Sequence, residues 1–272
     1  MKYRVQLRSR HPSHDPLRKL LPKFLFRSVV RLGSTTEIPN RSVEINSIQS
    51  IKNSADKLLM KQCFTENDVR TAIWSNGSSI DDILNILSDN HEEGVPYPIV
   101  AKHRFGSRGN GIYLLKTKEE LDAWIPGKTL TNYVFEKFYN YNKEYRLHIT
   151  KDGCFYTCRK MLKSDTPEDK RWFRNDSNSV WIVEENEQFD KPVNWESVIA
   201  ESVKALNAVG LDVGAVDLRI QSRLDKDGRV RPDPEFIVVE INSAASHADG
   251  TRSKYLEVIP KLIIEKYENR TT

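Results

Sequence analysis

Apolar positions alternate weakly with polar ones over Tyr3–Leu7 and more strongly over Arg27–Leu32, where Gly33 and Ser34 close the run; both segments read as strands. His11–Pro16 reads as a turn between them. The period then lengthens. Ser54 stands where an N-cap would open a helix running through Asn67, with Leu58, Leu59, Gln62 and Cys63 near one face. A turn at Asn76–Ser79 precedes a short helix over Asp81–Ser88 carrying Ile83, Leu84 and Leu87. Val95–Lys102 holds a Pro-flanked strand, followed by a glycine-rich turn, a strand at Ile112–Leu115 and a helix over residues 118–124. Tyr133–Phe138 and Tyr145–Ile149 alternate as strands, and Asp152-Gly153 is a hairpin signal leading into Cys154–Arg159. The block from about 95 to 183 therefore predicts an antiparallel lobe with little helix.

The helical period returns at Asn194, a candidate N-cap, with Ile199, Val203 and Leu206 on the apolar face and Gly210 as the C-cap. Strands at Gly214–Ile220 and Glu235–Ile241 follow, separated by a turn at Asp225–Gly228. Tyr255–Tyr267 is helical in pattern, and Pro260 inside it predicts a kink or a restart. Strand blocks interrupted by separate helices make this an α+β protein with more than one lobe.

Composition narrows the classes without choosing among them. With 38% hydrophobic and 29% charged residues, the 272-residue chain has too much to bury for collagen-like, mucin-like or disordered readings. Three cysteines, Cys63, Cys154 and Cys158, are no disulfide framework and suggest a reducing compartment. No run nears the roughly 20 apolar residues that span a bilayer, and the start lacks the apolar core of a signal peptide, so the expectation is a cytoplasmic protein without a membrane partner. The net charge is only +4, yet residues 1–31 carry Lys2, Arg4, Arg8, Arg10, Arg18, Lys19, Lys23, Arg27 and Arg31 against Asp15 alone. Such a basic stretch suits nucleic acid, an acidic protein or a phosphorylated ligand; without interleaved aromatics a solvated face outweighs a nucleic-acid surface.

Three constellations carry candidate chemistry. Around Lys102, Pro98–Ile112 delivers a lysine from a strand into a loop with Gly106, Gly109 and Gly111; such loops aim backbone N–H groups at anionic oxygens while the ammonium neutralises phosphate. No Gly-Lys-Ser/Thr occurs, so the loop is not a Walker A motif. Near the C-terminus, Glu240 and Asn242 share one face of a strand. With Asp217 on an adjacent strand they would offer the hard oxygen donors that Mg²⁺ and nucleotide phosphates require, the alternative being a buried salt bridge of Asp217 with Arg219 or a lysine. Glu136, among Val134, Phe135 and Phe138, marks a place for a flat base, and Glu144 one for ribose hydroxyls; either reads equally well as a strand-surface glutamate paired with Lys137 or Lys143. Other chemistries lack their residues. Cys154 and Cys158, four apart on one strand face, need outside ligands to hold a metal, and His103, His148 and His247 are scattered. His11, His14 and His91 look superficial, no serine stands in a Gly-x-Ser-x-Gly elbow, and Asp81-Asp82 and Glu92-Glu93 read as helix-end charges.

Taken in order, Ser54-Ala55-Asp56-Lys57, Val100-Ala101-Lys102 with Gly106–Gly111, Glu136-Lys137-Phe138, Glu144-Tyr145-Arg146, Asp217 and Glu240-Ile241-Asn242 resemble the ATP-grasp superfamily from about Val29 to Lys261. The resemblance implies two α+β lobes enclosing an ATP site beside a small N-terminal lobe: residues 1–53 as a short basic substrate-side lobe, 54–138 as the first ATP-grasp lobe, and 139–272 as the second. It implies ATP held by Lys57, Lys102, Ser107, Gly109 and Gly111, with Glu136, Lys137 and Phe138 on adenine and Glu144 on ribose. Asp217, Glu240 and Asn242 would hold Mg²⁺, with Mn²⁺ as a substitute. Lys102, Arg146, Arg159, Lys160 and Arg219 would supply charge at the reacting groups, Arg31 would face substrate, and Asn175 resembles an asparagine of the peptide-ligase branch. The flap departs from the pattern in holding Arg104 and Arg108.

By the same resemblance the chain is similar to compact carboxylate–amine ligases, including ones encoded by bacterial viruses. A small-molecule or peptide carboxylate would attack the γ-phosphorus of ATP, and an amine, or a thiol, would then displace phosphate. The alternatives are a kinase acting on a small-molecule hydroxyl, an enzyme acting on RNA or tRNA through the basic N-terminal segment, and a nucleotide-binding protein without turnover. Neither the acid, the acceptor nor the oligomeric state is legible in the residues.

Overall fold

The computed structural model describes residues 1–89, 94, 96–107, 109–175 and 177–271. The expectations for His91, Glu92, Glu93, Val95 and Arg108 lie outside the described residues. Among the described residues the strands form four sheets. The chain opens with β1 (Tyr3–Arg4), β2 (Gln6–Ser9), α1 (Asp15–Leu20), β3 (Lys23–Phe24), β4 (Ser28–Leu32) and β5 (Val43–Ile45). The order β2-β4-β5 is parallel, and β1 pairs with β3. The segment read as a turn around His11–Pro16 instead winds into a 3-10 turn and α1, with Pro16 in the first helical turn where its missing N–H costs nothing.

Two helices follow where one was expected. α2 (Ile48–Ala55) ends and α3 (Lys57–Glu66) begins at Asp56, whose carboxylate accepts from the Leu58 N–H; Asp56, not Ser54, is the N-cap. The buried face of α3 is Met60, Lys61 and Phe64, shifted from the one expected. After β6 (Trp74–Ser75) and α4 (Ile80–Asp89), whose first turn carries Asp81 and Asp82, come β7 (Ile99–His103), β8 (Ile112–Leu115), α5 (Lys118–Trp124) and β9 (Tyr133–Lys137). These strands form the antiparallel sheet β6-β9-β7-β8, backed by Ile83, Leu87 and Leu121 from α4 and α5.

The largest sheet, β12-β11-β10-β13-β14, is wholly antiparallel. It comprises β10 (Lys143–Thr150), β11 (Gly153–Leu162), β12 (Ser179–Val183), β13 (Val213–Ile220) and β14 (Phe236–Asn242). α6 (Trp195–Val209) covers its back face through Val198, Ala205, Leu206 and Val209, joined there by Ile51, Met60 and Phe64 of α2 and α3. Gly210 ends α6 at φ +75°, the left-handed cap the pattern asked for. Asn194 precedes α6 without a capping hydrogen bond, its amide donating instead to Asp233 and the Pro234 carbonyl. α7 (Asp249–Thr271) runs unbroken through Pro260, and Tyr255, Ile259, Leu262 and Ile263 pack it on the N-terminal strands. Packing on both sides of Pro260 offsets the hydrogen bond it deletes.

One residue of slippage corrects the cysteine expectation. β11 carries an extra residue where Cys154 pairs with Ile149 while Tyr156 pairs with His148. Cys154 therefore packs on the α6 side, and Cys158, opposite Arg146, faces the other way. All three cysteines are free thiols. No helix among the described residues is long and apolar enough to cross a membrane.

Candidate active site

The uncovered face of the large sheet and the β7–β8 hairpin enclose a cleft of about 500 Å³. Lys57, Lys102, Glu136, Glu144, Asp217 and Glu240 all line it, although up to 183 positions of sequence separate them. Ser107, Gly109, Gly111, Lys137, Phe138, Arg146, Lys160, Arg219 and Asn242 line it as well.

The hairpin loop is built for close approach. The His103 N–H donates to the Gly111 carbonyl at 2.8 Å, and Gly111 sits at φ +72°, where a Cβ would stand 2.8 Å from that of His103. At the loop tip a Cβ on Gly109 would meet the Asn175 amide at 3.2 Å and the Phe173 ring at 3.4 Å, so the loop leans across the cleft onto the segment before β12. Arg104 anchors its base: Nε donates to Asp56 at 3.0 Å and Nη2 to the other oxygen, tying the loop to the cap of α3. Burial is the main influence on Asp56 and opposes its ionisation, yet Arg104 and the helix N–H groups hold its pKa below the usual value. Lys57, the next residue, donates its ammonium to the Gly106 carbonyl. Burial lowers the pKa of Lys57, with Glu240 opposing.

β7 and β9 pair so that Val100 faces Glu136 and Lys102 faces Val134. Lys102 Nζ lies 2.7 Å from Glu136 Oε2, and Lys61 Nζ lies 3.1 Å from Oε1. Both Glu136 oxygens are thus engaged by lysines, which differs from the adenine-facing glutamate expected. Burial opposes the charge on Glu136, but Lys102 and Lys61 outweigh it and depress its pKa. Lys61, wholly buried, also donates to the Thr71 hydroxyl at 2.6 Å, and burial lowers its pKa to about 8. The adjoining hinge spends its N–H groups on the protein: Lys137 donates to the Ile73 carbonyl and Phe138 to that of Pro98.

Across the cleft, register does the placing. Arg146 stands opposite Asp217 and grips it with both fork nitrogens, Nε at 2.6 Å and Nη2 at 2.7 Å. Between β13 and β14 an extra residue, Val239, lets Asp217 face Glu240 directly. Asn242 Nδ2 lies 3.0 Å from Glu240 Oε1 and 3.5 Å from Asp217 Oδ2. Burial raises the pKa of Asp217 despite Arg146. Burial likewise opposes the charge on Glu240, but Lys57 and the Asn242 amide depress its pKa. Asp217 takes Arg146 as its cation, neither Arg219 nor a lysine.

The next row holds Glu144, with Arg219 at 3.3 Å, Arg174 at 3.7 Å and Lys160 at 3.8 Å. Two of these cations also fasten the segment before β12: Arg219 donates to the Trp172 carbonyl at 2.8 Å and Lys160 to that of Arg174 at 3.0 Å. The Trp181 ring backs both basic strands, 4.6 Å from the Arg146 guanidinium carbon and 5.0 Å from Lys160 Nζ.

Some expected residues fall elsewhere. Arg159 turns to the opposite face of β11, donating to the Gln188 and Phe189 carbonyls, so it does not reach the cleft. Arg31 is fully buried against Glu44 and the Thr36 carbonyl; Arg10, His11 and Gly33, from the ends of β2 and β4, reach the cleft beside Ser243 and Ala244. Asn175 lines the cleft, while its side-chain oxygen accepts from the Ser177 and Asn178 N–H groups. His14, expected at the surface, is buried; His14 and His148 gather with Tyr255 around His247, while His103 stands apart against Phe105 and Tyr133. Lys61, Arg174 and Trp181 were missed. Lys61 had a signal, since it lies one helical turn after Lys57, on the same side of the helix.

The Mg²⁺ expectation can be tested on the donor set. Glu240 lines the cleft with no ion pair within 4 Å among the described residues, and Asn242 can turn its carbonyl oxygen to where its nitrogen now points. Among the described residues no three His, Cys, Asp or Glu side chains gather as a metal cluster. Two carboxylates and one amide nonetheless suit Mg²⁺, which completes its shell with phosphate and water oxygens. The residues fit the ion.

No family model matches the sequence, and no curated protein matches it. Solved structures do resemble it. D-alanine–D-alanine ligase from Bacillus anthracis is 14% identical, with 98% of this chain and 99% of that one covered at a TM-score of 0.64. The same enzyme complexed with ATP gives 14% identity, coverage of 99% and 98%, and a TM-score of 0.60. The ATP-grasp ligase PsnB complexed with minimal precursor is 13% identical over 82% of this chain and 63% of that chain, with a TM-score of 0.50.

Proposed function

We propose that this chain, whose α+β fold is that of the ATP-grasp ligases just described, activates a carboxylate with ATP and joins it to an amine. The observation that carries the reading is the shared cleft, which Lys57, Lys102, Asp217, Glu240 and Asn242 all line. Ammonium groups and hard oxygen donors in one cleft suit a metal-bound triphosphate. Lys102 and Lys57 would neutralise phosphate oxygens, and the N–H groups of the loop around Ser107, Gly109 and Gly111 would cover them. Adenine would lie by Lys137 and Phe138, with Glu144 at the ribose. Asp217, Glu240 and Asn242 would hold Mg²⁺, which supplies charge neutralisation at the phosphates.

The substrate carboxylate forms a bond to the γ-phosphorus as the bond to the β-bridging oxygen breaks, and ADP leaves. The amine nitrogen then bonds to the acyl carbon, phosphate departs with its oxygen, and the nitrogen sheds a proton. Lys160 and Arg219, which with Arg174 share the single carboxylate of Glu144, are the cations available to the developing charge, while Arg146 steadies Asp217; Arg10, His11 and Ser243 border the end left for acid and amine. Removing one preorganised cation should cost about 2.7–4 kcal/mol of transition-state stabilisation.

The test is a screen of acids, peptides and amines for ADP and phosphate release, with Lys102→Met and Glu240→Gln as controls. Turnover that needs both an acid and an amine, and is lost in both controls, supports the ligase. AMP with pyrophosphate, or a phosphorylated alcohol without an amide, refutes it.

A further inference from the structure

We infer that Lys61 is a positioning residue that keeps the positive charge of Lys102 available to the nucleotide phosphates; the inference rests on the ATP reading above. A phosphate-binding lysine 2.7 Å from a carboxylate is electrically spent, because that pair is neutral as seen by a third charge. In this cleft the carboxylate is shared. Glu136 gives one oxygen to Lys102 and the other to Lys61, so the buried group of three carries one net positive charge rather than none. Lys61 itself is fully buried and is absent from the cleft wall, whereas Lys102 and Glu136 line it. A ligand therefore meets the surplus charge by direct contact only at Lys102, with Lys61 acting on it from behind the wall.

The fold holds this arrangement from three sides. Lys61 comes from α3, Glu136 from β9 and Lys102 from β7, while the Thr71 hydroxyl accepts from Lys61 at 2.6 Å and donates to the Val238 carbonyl at 2.8 Å, which fixes the ammonium in β14's frame. A lysine needed only to neutralise Glu136 would be redundant, since Lys102 already does that. Removing Lys61 leaves Glu136 and Lys102 as a closed neutral pair. One unit charge lost at on the order of 9 Å, in an effective dielectric of about 20, weakens triphosphate binding roughly twentyfold. Adenosine, which has no phosphate, should not sense the change.

The experiment is calorimetric titration of adenosine, AMP, ADP and ATP, each with Mg²⁺, into the full chain, Lys61→Met, Glu136→Gln and the double variant, with melting curves for each. Lys61→Met should lose roughly twentyfold for ATP, progressively less for ADP and AMP, and nothing for adenosine. In Lys61→Met/Glu136→Gln the net charge is again +1, and ATP affinity should return to within about threefold of the unmodified protein. Should Lys61→Met fail to fold, Lys61→Gln removes the same charge while keeping an amide donor for the Thr71 hydroxyl and Glu136, and should show the same roughly twentyfold loss for ATP with none for adenosine. Equal losses for adenosine and ATP, or ATP binding indifferent to Lys61, overturn the inference while leaving the nucleotide site standing. An unmodified chain that binds neither ATP nor ADP overturns the nucleotide reading and this inference together.

Discussion

Acidification from pH 7.5 to pH 5 should remove a large part of the folding stability through three neutral histidines. His14, His148 and His247 are 0%, 1% and 5% exposed. Burial, the largest influence on each, lowers their pKa values to about 4, 3 and 2. Their surroundings give a proton little welcome: the tilted rings of His14 and His247 lie 4.2 Å apart, Arg146 repels a charge on His148, and Arg252 and His11 lie near His247. His14 Nε2 is already committed to the Ala245 carbonyl at 2.8 Å, and His148 Nδ1 meets the Tyr255 hydroxyl at 3.1 Å. The sign follows from linkage. A histidine whose folded pKa is depressed takes its proton first in the unfolded chain, so its stabilising contribution is complete above pH 6.5 and falls as pH drops toward the folded value. At pH 5 each histidine has lost about 2 kcal/mol and the three together about 6 kcal/mol, a large share of a typical domain's 5–15 kcal/mol. The depressed carboxylates Asp56, Glu136 and Glu240 give up their contributions only below their ordinary values of 3.8 and 4.5, outside this window. Asp217, whose pKa is raised, works the other way and trims the loss. Urea unfolding at pH 7.5, 6.5, 5.8 and 5.0 measures the effect, and His247→Leu should flatten the profile by about a third. A stability constant to within about 1 kcal/mol across that range, or a profile untouched by the substitution, would refute the reasoning.

Three further outcomes test the architecture. Gly33→Ala places a Cβ 2.6 Å from that of Ala244 at a backbone φ of +80°, and should lower stability by about 1–3 kcal/mol in thermal unfolding. Arg146→Met strands a buried Asp217 and should cost about 3–5 kcal/mol, most of it recovered in Arg146→Met/Asp217→Asn when both are followed by chemical denaturation. Asp56→Ala removes the cap of α3 and releases Arg104; it should cost about 1–2 kcal/mol and make the 104–111 loop more susceptible to limited proteolysis.

What the sequence disclosed and what it withheld divide along a physical line. Strand period, the Gly210 cap and the chain order of Lys57, Lys102, Glu136, Glu144, Asp217 and Glu240 are local or ordinal facts, and the structure brings all six residues to one cleft. Which charge meets which is a matter of register, and register is set by single extra residues that no local pattern announces. Val239 bulges and Glu240 swings opposite Asp217; β11 slips by one and its two cysteines part company. Arg159 and Lys160 are neighbours in sequence, yet the pleat sends one to the Phe189 carbonyl and the other into the cleft. The same logic explains why Lys61 was overlooked. Read along the chain it is one more lysine on an amphipathic helix; its meaning appears only when β9 brings Glu136 between it and Lys102. A cleft of the proposed kind, built to take a polyanion, cannot simply accumulate cations, since unpaired buried charges are costly, nor can it pair each one off, since neutral pairs attract no phosphate. Sharing one carboxylate between two lysines meets both conditions, and it requires three elements from distant parts of the chain to meet at about hydrogen-bond distance.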